Sequence, residues 1–124
     1  MGDSESPTNH TLEDLIQIIR KFVRERDWEQ FNRPLTLAVS AQIELGELLE
    51  LFQWKTEDEI SEALESEEYK TRIGEELSDV LVYLLRIADT TNIDLPNALL
   101  RKMEMNRAKY SIEDWKGKAP RKSD

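Results

Sequence analysis

Apolar residues recur at helical spacing along four stretches of this chain. In the first, Leu12, Leu15, Ile16, Ile19, Phe22 and Val23 share one face. Thr11 suits the cap of that helix, with Asp14 three residues on, and the pattern runs to about Arg26 or Asp27. Trp28 to Pro34 reads as a loop, with Pro34 placed for the first turn of a second helix. That helix is expected from Leu35 to Phe52. Leu37, Ala38, Ala41, Ile43, Leu45, Leu48, Leu49, Leu51 and Phe52 make it apolar on most sides, which predicts burial inside a domain or at a subunit interface. Residues 55–68 are acidic, with one short helix expected around Ile60–Leu64. Ile73, Leu77, Val80, Leu81, Leu84, Leu85 and Ala88 predict a third long helix from Glu68 to Thr90. Asp94 and Pro96 look like the cap and first turn of a fourth, ending near Lys109.

The pattern predicts one all-α domain over residues 11–110. Residues 1–10 are polar, contain Pro7 and read as a disordered tail. Residues 111–124, with Trp115 among them, read as a basic flexible tail. There is no internal repeat and no heptad run long enough for a coiled coil.

Composition sharpens this in two ways. Only four Gly and four Pro interrupt 124 residues, which favours helices, and the absence of cysteine excludes disulfides and thiolate metal sites. With no signal peptide and no apolar run of membrane-spanning length, the expected setting is cytoplasmic, with no membrane partner. The formal charge of −9 argues against nucleic acid as a partner. That charge is uneven: residues 44–79 hold 13 acids and 3 bases, whereas residues 101–122 hold 8 bases and 3 acids. Such asymmetry is commonly two solvated faces; it also fits a cation site with a phosphate-binding flank.

The candidate chemistry lies in the acidic centre. Glu44 and Glu47 are three apart on the second helix, and Glu76 and Asp79 three apart on the third. Residues at that spacing are surface neighbours, so two such pairs on packed antiparallel helices can converge. Glu-x-x-Glu alone is more often a solvated face in a chain with 26 acids. Here, however, both pairs sit in mostly apolar helices, where a charge needs a partner or a metal. Gly46, between the first two acids, suggests close approach of a neighbour. The only histidine is His10, so a Glu-x-x-His di-metal centre is excluded, and an all-oxygen set favours Mg²⁺ or Mn²⁺. At 100° per residue Tyr83 lies about 20° from Glu76, and Trp54 about 20° from Glu47 if the second helix extends that far. Trp28 and Trp54 flank charged sequence, where base stacking is one reading and core packing the other. Lys102 and Asn106, one turn apart, are either a solvated face or contacts to phosphate and sugar.

Four stretches carry a resemblance: RDWEQF (Arg26–Phe31), ELGELLELFQWK (Glu44–Lys55), EELSDVLVYLL (Glu75–Leu85) and DLPNALLRKMEMNRAKY (Asp94–Tyr110). Together they resemble the MazG-like, all-α nucleoside triphosphate pyrophosphatases, specifically the dCTP pyrophosphatase branch. The resemblance implies Mg²⁺-dependent cleavage between the α and β phosphates, yielding a monophosphate and pyrophosphate, as nucleotide-pool house-cleaning. It implies a four-helix-bundle subunit in a homo-oligomer, a tetramer built as a dimer of dimers. It makes Glu44, Glu47, Glu76 and Asp79 the metal-binding and catalytic set, with the choice of any general base among them open. Trp28 and Trp54 match the tryptophans that hold the base, and Tyr83, Lys102 and Asn106 match positions near sugar and phosphates. Vertebrate members of the branch carry a histidine in the first helix where this chain has Ile19, so the resemblance leaves the preferred base open. The alternatives are dUTP or phosphoribosyl-ATP hydrolysis on the same scaffold, or a non-catalytic helical bundle that binds a partner protein.

Overall fold

Thr11 starts the first helix with a reciprocal cap. Its backbone N–H donates to the Asp14 carboxylate and its hydroxyl accepts from the Asp14 N–H, each at 3.0 Å. In this computed structural model, which describes residues 9–120, α1 then runs over Leu12–Glu25. Asp27 takes a left-handed φ of 56° and turns the chain out of the helix. A 3₁₀ turn at Glu29–Phe31 gives the expected loop local order. Arg33 is extended, as a residue before proline should be, and Pro34 opens α2 (Pro34–Glu50). A second capping box, Thr56 with Glu59, starts α3 (Glu57–Ala63). That cap explains why α3 begins ahead of the expected Ile60. Ser66 caps α4 (Glu67–Thr90), and Asp94 caps α5 (Leu95–Lys109).

All the regular structure among the described residues is helical. None of these helices is long and apolar enough to cross a membrane. The chain divides into two units, residues 1–92 and 93–124.

In the first unit α4 packs against α2 and α1. Its core is small: Ile16 and Val23 from α1, Leu37 and Ala41 from α2, Leu51, and Leu85 and Ala88 from α4. Tyr69 fastens the start of α4 to the end of α2, its hydroxyl donating to the Leu51 carbonyl at 2.5 Å. The apolar character of α2 therefore outruns its burial. Val39, Ile43 and Leu49 are more than half exposed. Leu77, Leu81 and Leu84 leave α4 similarly uncovered.

In the second unit α5 leaves Leu99, Leu100, Met103 and Met105 exposed. The segment after it departs from the expected flexible tail. Ser111 caps a single turn, α6 (Ile112–Trp115), and Trp115 meets the Tyr110 ring edge-to-face at 5.1 Å. The expected tail at residues 1–10 falls almost wholly outside the described residues.

Candidate active site

The inward stripe of α2 runs Leu37 and Ala41, both buried, then Glu44 and Leu48, both half-buried. Glu44 thus stands where the helical period calls for an apolar residue facing α4. Glu76 occupies the equivalent half-buried stripe of α4, between Ile73 and Val80. The helices pack on their apolar positions, and that packing drives the carboxylates together. Glu44, Glu47 and Glu76 each bring an oxygen within 4.8 Å of the others. Asp79 lies outside this set of three, exposed and one turn further along α4.

The cluster carries unrelieved charge. Burial, then repulsion from Glu47, Asp79 and Glu76, raises the Glu44 carboxyl above its ordinary value of 4.5. Burial, then Glu47, Asp79 and Glu75, raises Glu76 likewise, with Arg72 pulling the other way. Oε1 of Glu76 is buried and finds no hydrogen-bond partner among the described residues. A buried acceptor left unmatched is costly in a native fold. An all-oxygen set with one lone acceptor fits a hard divalent cation.

Asp79 also borders a neighbouring cleft of about 160 Å³ between α1 and α4. Ile19, Phe22 and Val82 supply apolar walls, and Trp28 and Tyr83 aromatic ones. Phe22 packs edge-to-face against Trp28 at 5.8 Å and holds the Arg26 guanidinium over its ring at 3.8 Å. Ile19 faces the same space as Trp28.

Trp54 does not join this cleft within one chain. It is 92 % exposed. The extrapolated helical angle fails because α2 ends at Glu50 and Trp54 takes a left-handed φ of 69°. The reading of Gly46 also needs correction: a Cβ there would meet nothing within 4 Å, so no neighbour of the same chain requires the glycine. Lys102 and Asn106 stand one turn apart on α5, in the second unit.

At the far end of the cleft lies a group that sequence reasoning passed over. Arg86 is only 4 % exposed. Its Nε donates to Asn32 Oδ1 and its Nη1 to Asp89 Oδ2, both at 2.6 Å. Arg20 from α1 grips the same carboxylate with a fork, Nε to Oδ2 at 2.9 Å and Nη2 to Oδ1 at 2.6 Å. Hydrogen bonding from Arg20, aided by Arg86, holds Asp89 below its ordinary 3.8. Asn32 completes the chain, its Nδ2 donating to the Trp28 carbonyl at 2.9 Å. One signal was available: Arg86 and Asp89 are charges set among Leu84, Leu85, Ile87 and Ala88. That is the pattern that singled out the glutamates.

A sequence model of the MazG-like family matches residues 39–124. The chain belongs to the MazG-like family. Within this family it is 42 % identical to dCTP pyrophosphatase 1 of Bos taurus over 114 residues, which is 92 % of this chain and 68 % of that protein. It is 47 % identical to dCTP pyrophosphatase 1 of Homo sapiens over 100 residues, 81 % of this chain and 59 % of that one. A crystallised pyrophosphatase from Archaeoglobus fulgidus DSM 4304 is 43 % identical and superposes with a TM-score of 0.75. That match covers 86 % of this chain and 97 % of that one. The resemblance carried by Glu44–Lys55 and Glu75–Leu85 is thus borne out at the level of the MazG-like family. These two stretches bear the acidic cluster.

Proposed function

We propose that this protein is a nucleoside triphosphate pyrophosphohydrolase that converts dCTP, or a related or modified deoxynucleotide, to the monophosphate and pyrophosphate. The observation that carries this reading is the Glu44–Glu47–Glu76 convergence with its lone buried oxygen, set beside an aromatic cleft. The relatives named dCTP pyrophosphatase 1 favour cytosine over the uracil and phosphoribosyl-ATP alternatives.

Glu44, Glu47, Glu76 and Asp79 would hold Mg²⁺ or Mn²⁺. Bound there, such a cation neutralises phosphate charge and lowers the pKa of coordinated water. The chain's own residues do the rest. Asp79 links the carboxylate end to the cleft, so a nucleotide seated in the cleft has its phosphates directed at the cluster. Trp28 stacks on the base, and Tyr83 lines the same cleft. By family resemblance, Trp54 also holds the base, and Tyr83, Lys102 and Asn106 match positions near sugar and phosphates. A homotetramer, assembled as a dimer of dimers, supplies cover for Val39, Ile43 and Leu49, which one chain leaves bare.

The test is a panel of canonical and modified deoxynucleotides with Mg²⁺, with products resolved. Monophosphate plus pyrophosphate supports the assignment. Diphosphate plus phosphate moves the cleaved bond and contradicts it. No turnover of any nucleotide returns the chain to the partner-binding alternative.

A further inference from the structure

α4 carries one stripe that joins the two ends of the cleft. Glu76, Asp79, Tyr83 and Arg86 follow each other at spacings of three, four and three residues. Asp79 and Arg86 are thus two turns apart on one face, about 10 Å along the axis. That is comparable to the reach of a nucleoside from its 5′ oxygen to the far edge of its base. With the phosphates at Asp79, the base edge falls at Arg86.

Arg86 is built to read such an edge. It is buried, it borders the cleft, and its plane is fixed from two sides by Asn32 and Asp89. Those two bonds use two of its five N–H donors. Asn32 also borders the cleft, and its own plane is fixed by the bond to the Trp28 carbonyl. Its Oδ1 therefore sits beside the guanidinium, an acceptor next to donors.

We propose that Asn32 and Arg86 form the base-reading edge of the pocket and select cytosine through its N4, N3 and O2. Cytosine presents a donor followed by two acceptors on that edge, the complement of Asn32 Oδ1 followed by guanidinium N–H groups. Uracil and thymine turn both leading groups round: O4 meets the Asn32 oxygen, and N3–H meets an arginine donor. Enzymes that hold an unpaired base recognise it in this way, by hydrogen bonds to its pairing edge within an aromatic clasp. Ile19 lines the same cleft with an apolar side chain, so polar reading of the base falls to Asn32 and Arg86. The inference rests on the proposed pyrophosphatase activity and adds the residues that choose its base.

The experiment compares kcat/KM for dCTP and dUTP, which differ only on this edge. In Arg86→Lys, which keeps a cation beside Asp89, dCTP should lose roughly 10- to 100-fold, the scale of one bidentate base contact. dUTP should change far less, so the preference collapses toward unity. Asn32→Ala leaves the Arg86–Asp89 pair intact and should shift the ratio in the same direction, which covers the case where the arginine variant fails to fold. Mn²⁺ titration of either variant should match the wild type. A parallel loss on both substrates, or an unchanged ratio in the folded variants, assigns Arg86 to structure and overturns the proposal. A wild type that prefers dUTP overturns it while leaving the pyrophosphatase reading in place. A wild type that releases no pyrophosphate overturns both.

Discussion

Glu76 holds an oxygen that is buried, unpartnered and flanked by like charge. Replacing it with glutamine keeps the shape and removes the charge. Glu76→Gln and Glu47→Gln should each lower turnover about 10²- to 10³-fold, the scale of losing one preorganised electrostatic contact in a transition state. Steady-state kinetics reads this, and near-normal turnover in both variants would sink the metal-site assignment. The metal-free Glu76→Gln protein should melt no lower than the wild type, since one source of repulsion is gone. The same charges set a pH dependence. Glu44 and Glu76 titrate above 4.5 in the fold, so over that window the folded chain holds protons that the unfolded chain releases. Metal-free stability therefore falls as pH rises from 4.5 through the raised values. Mg²⁺ should recover that loss above the window and add little below it. Asp89 acts in the opposite sense: its depressed pKa contributes stability above 3.8 that is lost as acid protonates it. Thermal melts across pH, with and without Mg²⁺, check both signs.

Among the elements, boundaries were legible wherever local chemistry sets them. Thr11 with Asp14, Pro34, and Asp94 with Pro96 each act within one turn, and each marked its helix in the sequence. The Thr56–Glu59 box is equally local and was readable; it was hidden in an acidic run that resembled loop. Thr56→Ala should cost roughly 1 kcal/mol of local helix stability. Because α3 has no buried residue, the loss should show as faster amide exchange over Glu57–Ala63 rather than as a large drop in melting temperature. The carboxylates were legible because charge on an apolar stripe violates the helical pattern. Arg86 and Asp89 carried the same signal, but their partners Asn32 and Arg20 were not legible, because they lie up to 69 residues away and only packing brings them together. Trp54 misled because a helical wheel has no meaning past the last helical residue.

For the molecule as a whole, one chain leaves large apolar side chains bare on several helices, Val39, Ile43 and Leu49 of α2 among them. In the proposed assembly Ile43→Asp should shift the protein to smaller species, seen by light scattering after size exclusion. It should also lower activity if a second copy completes the site. Trp54 separates the two effects. It is so exposed in one chain that Trp54→Ala should move the melting temperature only slightly, as surface substitutions do. If its indole serves a nucleotide, KM should rise several-fold with assembly unchanged; an unaltered KM removes Trp54 from the site.

The stripe along α4 also acts as a ruler. It is part of a single 24-residue helix, so the distance from carboxylates to Arg86 is fixed by backbone hydrogen bonds rather than by a loop that can adjust. One alanine inserted after Val80 would advance everything beyond it by 1.5 Å and swing it through about 100°. Tyr83 and Arg86 would leave the face shared with Glu76 and Asp79, although every functional side chain would still be present. Such a chain would keep its net charge and its four acids, and would have lost the alignment on which the proposed reading of the base depends.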